Sequence, residues 1–169
     1  SPIFNTVGVG KSRLLREFKT YAQLRRVTVV EGFAGRSAGA YAAFGEVFRG
    51  ILALWGERDS TGKSLKPRQN DPLRRRLLQR YGAELARLIP ELDDSVLPVA
   101  RRAQLAPEQE ELRLLDSLAQ FLIGYSRSRP LVIMLHELEE ADRETTELLS
   151  YLVRNLNLIR TAQKRSRFT

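Results

Sequence analysis

The sequence predicts an α/β fold in which a parallel sheet lies between helices in three layers, with helix as the dominant element. Three observations carry this. Residues 3–31 run in the order strand, glycine-bearing loop, helix, strand. Residues 129–137, "RPLVIMLHE", hold an unbroken apolar run bounded by Pro130 and by charge. Most of the chain between them places apolar residues three and four apart, the repeat of one helix face.

Taken in order, Ile3 and Phe4 form a short strand. Leu14, Leu15, Phe18, Tyr21 and Ala22 then recur at helical spacing, and Arg25 and Arg26 suit a helix C-terminus. The β-branched residues 27–31, "VTVVE", read as a strand. Glycine-rich residues 32–40 read as a loop. Tyr41, Phe44, Val47, Phe48, Ile51, Leu52 and Trp55 mark an amphipathic helix. Polar residues 56–71 follow as an exposed linker. Leu73, Leu77, Leu78, Tyr81, Leu85, Leu88 and Ile89 mark the next helix, which Pro90 stops; residues 90–106 are irregular or short-helical. Pro107 opens a long helix through Leu112, Leu115, Leu118, Ala119, Leu122 and Ile123. The run at 129–137 has the pattern of a strand buried on both faces. Asp142 can cap a last helix carrying Leu148, Leu149, Leu152, Val153 and Leu156, and the basic end of the chain is expected to fray.

With 169 residues and 43% hydrophobic content, the chain suits one domain, residues 1–169, with a real core. No stretch is apolar enough to span a membrane, and "SPIFNTVG" lacks the pattern of a secretory signal. Cysteine is absent, which rules out disulfides and thiolate metal sites and fits a reducing cytoplasm. The net charge of +8 gathers at "LRRRLLQR", residues 73–80, and "QKRSR", residues 163–167. Neither tract has the interleaved aromatics of single-strand binders, so an arginine-rich solvated face is favoured over a nucleic-acid surface.

The stretch "FNTVGVGKSRLL", residues 4–15, carries the chemistry. A phosphate loop needs glycines so that the backbone can curl with successive N–H groups aimed at the anion. It needs a lysine for the outer phosphates and a hydroxyl for Mg²⁺, with a helix N-terminus behind. Gly8, Gly10, Lys11 and Ser12 supply most of this, in a strand–loop–helix context. Asn5 stands where the first glycine of the pattern belongs. Asparagine tolerates left-handed dihedrals better than other side chains, so weakened phosphate binding is expected. A second "GKS", residues 62–64, has neither the strand before it nor a helix after it, because Pro67 intervenes. It reads as linker.

Together with "LVIMLHELEEADRETTELLSYLVRNL", residues 131–156, this loop resembles the ATPase module of STAND-class proteins (signal-transduction ATPases with numerous domains, Orc1-like or AAA-16). "GRSAGAYAAFGEVFRGIL" and "ELRLLDSLAQFLIGYSRSRPLVI" are similar to that family as well. The resemblance covers nearly the whole chain. It implies a P-loop NTPase-like sheet, truncated here at both ends and missing a central strand. It also implies an ATP or ADP site with weakly held Mg²⁺, and a switch role within a larger cytoplasmic regulator of signalling or transcription. Its partners would be nucleotide and the other domains of the parent chain, with nucleic acid unlikely for this module alone.

On that resemblance, Asn5, Gly8, Val9, Gly10, Lys11 and Ser12 hold nucleotide, Ser12 also binds Mg²⁺, and Glu137 activates water. His136 stands where the family has its first acid after the strand. An imidazole is a poor ligand for Mg²⁺, so hydrolysis is expected to be weak or absent. The bland reading of His136 is a strand-end histidine satisfied by hydrogen bonds. Glu139 and Glu140 read as solvated loop acids. The alternative for the whole chain is a degenerate P-loop scaffold without useful nucleotide binding.

Overall fold

The computed structural model describes residues 10–36, 39–55, 57–58, 64–65, 71–90, 92 and 106–166. The expected strand at Ile3 and Phe4, and the loop residues Asn5, Gly8 and Val9, lie outside the described residues, as does nearly all of the irregular stretch 90–106. The chain forms a helix-rich α/β domain: α1 (Lys11–Leu24), β1 (Thr28–Phe33), α2 (Ala42–Leu54), β2 (Glu57–Arg58), β3 (Ser64–Leu65), α3 (Pro72–Leu88), α4 (Pro107–Ser128), β4 (Leu131–His136) and α5 (Arg143–Ser166).

The main sheet is small and parallel. β1 pairs with β4 in the register Thr28↔Leu131 through Phe33↔His136. β2 and β3 add a two-rung antiparallel ladder inside what the sequence suggests is plain linker. β1 also runs two residues further than expected, taking in Gly32 and Phe33. The reason is packing: a Cβ on Gly32 would overlap the backbone carbonyl of Ala43, so this glycine lets α2 lie directly on the strand. Glycine serves close approach here, not a loop.

The core gathers on one side of that pair. Phe44, Phe48 and Ile51 of α2, Leu77, Leu78 and Leu85 of α3, and Leu118, Phe121 and Tyr125 of α4 are almost wholly buried. Phe48 and Trp55 meet Phe121 edge-on at 5.6 and 6.0 Å between ring centres, a favoured aromatic geometry. Polar ties fix the helices on each other. Arg113 donates to the buried Glu84 at 2.8 Å between α4 and α3, and Tyr151 donates to Asp116 at 3.0 Å between α5 and α4. Asp71 caps α3 through Leu73 N–H and Arg74 N–H, with Pro72 in the first turn.

Three expectations need correction. β4 is not buried on both faces: Met134 alone is fully buried, and the rest of the strand is half-exposed. Its only strand partner among the described residues is β1. The apolar row of α1 is likewise open, with Leu14 67% and Leu24 79% exposed, and among its described side chains Ala22 alone is fully buried. Finally, α5 continues to Ser166, through most of the basic stretch 160–169 that is expected to fray.

Candidate functional site

In a parallel sheet the loops after the strand C-termini converge, and ligands bind there. β1 and β4 end side by side at Phe33 and His136, and Ala34 N–H continues the ladder onto His136 C=O at 3.1 Å. α1 turns back into β1 through Arg25 and Arg26, with Val27 N–H bonded to Ala22 C=O. Lys19 in mid-helix donates to Glu31 in the strand at 2.7 Å. Helix and strand therefore run in opposite senses, over similar lengths of roughly 20 Å. The N-terminus of α1, at Gly10 to Ser12, thus points toward the end of the sheet that carries His136 and Glu137.

At that helix start, Gly10 is the N-cap and its carbonyl accepts from Leu14 N–H at 3.1 Å. As a glycine the N-cap offers no capping side chain of its own, and no acid lies in the first turn. Ser12 is exposed. The opening turn is thus a positive dipole end whose first N–H groups have no partner within the helix, as an anion site requires. The backbone of Lys11 belongs to α1, while its side chain lies outside what is described.

At the strand end, Glu137 is exposed and left-handed, with φ of 57°. It is not a glycine, so this conformation is a local cost. The 3-10 turn Leu138–Glu140 follows at once, with Glu140 N–H bonded to Glu137 C=O. The carboxylate rests against the loop after β1: a Cβ on Gly35 would come within 2.9 Å of Glu137 Oε2. Glu139 and Glu140 are exposed, as the sequence suggests.

His136 is not the satisfied histidine expected. Its Nε2 is buried without a hydrogen-bond partner among the described residues, 3.7 Å from Glu31 Oε1. Its ring stacks on Phe33 at 4.4 Å and 11°. Arg36 covers the other face of Phe33, its guanidinium carbon 3.5 Å from the ring centre. A three-tier stack of imidazole, phenyl and guanidinium therefore closes the end of the β1–β4 pair. Glu31 beneath it is held below the usual carboxylate range, first by the hydrogen bond from Lys19, against a smaller opposing effect of burial. Glu46 accepts from Phe33 N–H at 2.9 Å and anchors the stack to α2.

Sequence reasoning passed over Phe33, Arg36 and Glu46. The one local signal was the aromatic residue set in "GFAGR". The chemistry of this donor set does not fit Mg²⁺ as a pair of acids would. His136 offers a single nitrogen turned toward Glu31, and Glu31 already holds Lys19. No group of three or more metal-ligating side chains occurs among the described residues. No helix among them is long and apolar enough to cross a membrane.

No curated protein and no solved structure matches the chain. The family model of the AAA ATPase domain matches residues 6–163, which takes in the glycine-rich loop, the N-terminus of α1 and the β4 strand end. A match of that extent shows the family: the chain belongs to the AAA ATPase domain family.

Proposed function

We propose that this domain is a STAND-type ATP-binding switch module of a larger regulator, binding nucleotide at the start of α1 and hydrolysing it weakly or not at all. The observation that carries the reading is the acid-free first turn of α1, opened by Gly10, Lys11 and Ser12, in a chain of the AAA ATPase family. In this reading the N–H groups of residues 7–12 cradle the phosphates, with Asn5, Gly8 and Val9 shaping the curl. Lys11 pairs with the outer phosphates, Ser12 holds a weakly bound Mg²⁺, and Glu137 orients the attacking water. The bound nucleotide supplies a state-dependent charge at the helix start, which the rest of the parent chain would read. Isothermal titration tests this. At millimolar ATP or ADP the wild type is expected to release heat that Lys11→Ala does not, and equal heats from both would overturn the reading.

A second reading, a scaffold without useful nucleotide binding, is favoured by the stack of His136, Phe33 and Arg36, which occupies the place of the family's first acid. The variant His136→Asp separates the two. If nucleotide binds, restoring the acid is expected to raise turnover, with a new Mg²⁺-dependent rise in melting temperature. The added carboxylate would sit beside Glu31, and a cation would relieve their repulsion. A wild-type rate on the order of 1–10 per second would show instead that the histidine does not impair hydrolysis.

A further inference from the structure

The arginine tract of residues 73–80 has no part in the site at the start of α1. α3 and α4 pack unusually close where Gly124 faces Leu77: a Cβ at Gly124 would lie 2.7 Å from Leu77 Cδ2. This close approach brings the flanking side chains of the two helices around one open cavity of about 310 Å³. It is lined by Arg76, Arg80 and Tyr81 of α3 and by Gly124, Arg127 and Ser128 of α4, over Leu77.

Three arginines thus line one hollow. The carboxylates nearby are committed elsewhere: Asp71 to Arg129 at 2.7 Å, Glu84 to Arg113 at 2.8 Å, and Glu110 to Arg87 at 3.7 Å. Among the described residues none of Arg76, Arg80 and Arg127 has a carboxylate partner; Arg80 lies 5.7 Å over the ring of Tyr81. All three are exposed, so a ligand reaches them without rearrangement. Forked guanidinium donors match the oxygens of phosphate, and Tyr81 and Ser128 in the lining carry hydroxyls that can add neutral donors.

We propose that this α3–α4 cavity is a second anion site, separate from the start of α1, that takes phosphate groups. Two sources offer that chemistry, the backbone of a nucleic acid and a free polyphosphate. The open shape and the +8 charge of the chain favour the backbone.

The test uses the full chain with two probes: a fluorescein-labelled dT20 oligonucleotide, followed by anisotropy from 50 to 200 mM salt, and tripolyphosphate, followed by calorimetry. Arg76→Ala/Arg80→Ala/Arg127→Ala is expected to lose about tenfold or more in affinity for the oligonucleotide. Its salt slope is expected to fall by about 2, since each phosphate contact on a single strand contributes about 0.7. A charge-matched control, Arg16→Ala/Arg25→Ala/Arg154→Ala, is expected to bind the oligonucleotide as wild type does. Oligonucleotide binding that depends on the three arginines assigns the backbone. Tripolyphosphate binding with the same dependence, and no oligonucleotide binding, assigns the free ligand. Binding of neither probe, or an equal loss in the charge-matched control, overturns the proposal. Thermal melts check that each variant folds. If the triple variant does not melt cooperatively, Arg127→Gln at the exposed end of α4 decides: a two- to fourfold loss at 50 mM salt, about what one phosphate contact contributes, supports the site, and no change overturns it.

Discussion

Asp142 holds two helix starts with one carboxylate. It accepts from Thr145 N–H and Thr145 Oγ1 in α5, each at 2.7 Å, and from Tyr41 N–H and Ala42 N–H at the start of α2, at 2.9 and 3.1 Å. Burial pushes its pKa up and is the largest single influence, but the hydrogen bonds together outweigh it and the net shift is downward. Asp142→Ala removes a cap from both helices and leaves part-buried N–H groups unpaired. The expected loss is about 2–4 kcal/mol in urea unfolding, from a cap at each helix and charge-assisted bonds. A loss below about 1 kcal/mol would mean that water replaces the carboxylate at both sites. Because the folded pKa lies below the unfolded one, this stabilisation is present above about pH 4 and disappears as pH falls through the folded value. Glu31 shifts in the same direction, so both contribute to acid lability. The cap on α5 was legible in the sequence because it is local. The cap on α2 was not, since it joins residues about a hundred positions apart.

Two glycines show how the elements are spaced, and they predict opposite sensitivities. Gly32→Ala drives a Cβ into the Ala43 carbonyl, which belongs to a helix backbone that cannot yield alone. The expected cost is about 1–3 kcal/mol, the range of an overpacked core with backbone displacement. Gly124→Ala meets only the far end of Leu77, which can rotate away, while alanine favours the helix by up to about 1 kcal/mol. Its net effect is expected to stay within about 1 kcal/mol of zero. Denaturant midpoints measured side by side check the order, and a reversed order would mean that α2 shifts easily on β1. The helices were legible because apolar spacing and proline punctuation are written along the chain, as at Pro72 and Pro107. The end of β1 was hidden because Gly32 signals a loop by composition and a close helix contact by structure. The strand-end stack was hidden for a related reason: Phe33, Arg36 and His136 meet only when two strands about a hundred residues apart pair in register.

For the molecule as a whole, the described sheet is two parallel strands, which depend on helix packing for their stability. The helices cover it unevenly. An apolar groove of about 290 Å³ opens between β4, α4 and α5, with Leu131, Ile133 and Leu135 on one wall and Leu149, Leu152 and Val153 on another. On α1, Leu14, Phe18, Tyr21 and Leu24 stand exposed as well. Solvated apolar surface of this extent favours association, and strand edges without a partner template it. The far edge of β4 has no strand partner among the described residues. The 169-residue chain is therefore expected to be marginally stable or to self-associate at the concentrations used for biophysics. Charge works against this, since a chain of +8 repels its copies, and salt screens that repulsion. Association should thus strengthen between 50 and 300 mM salt, the reverse of what an ion-paired dimer would do. Sedimentation velocity across that range, paired with thermal melts, is decisive. A monomer at every salt concentration with one sharp transition well above about 60 °C, near the upper end for ordinary domains, would show that the open faces are covered by residues of the chain itself.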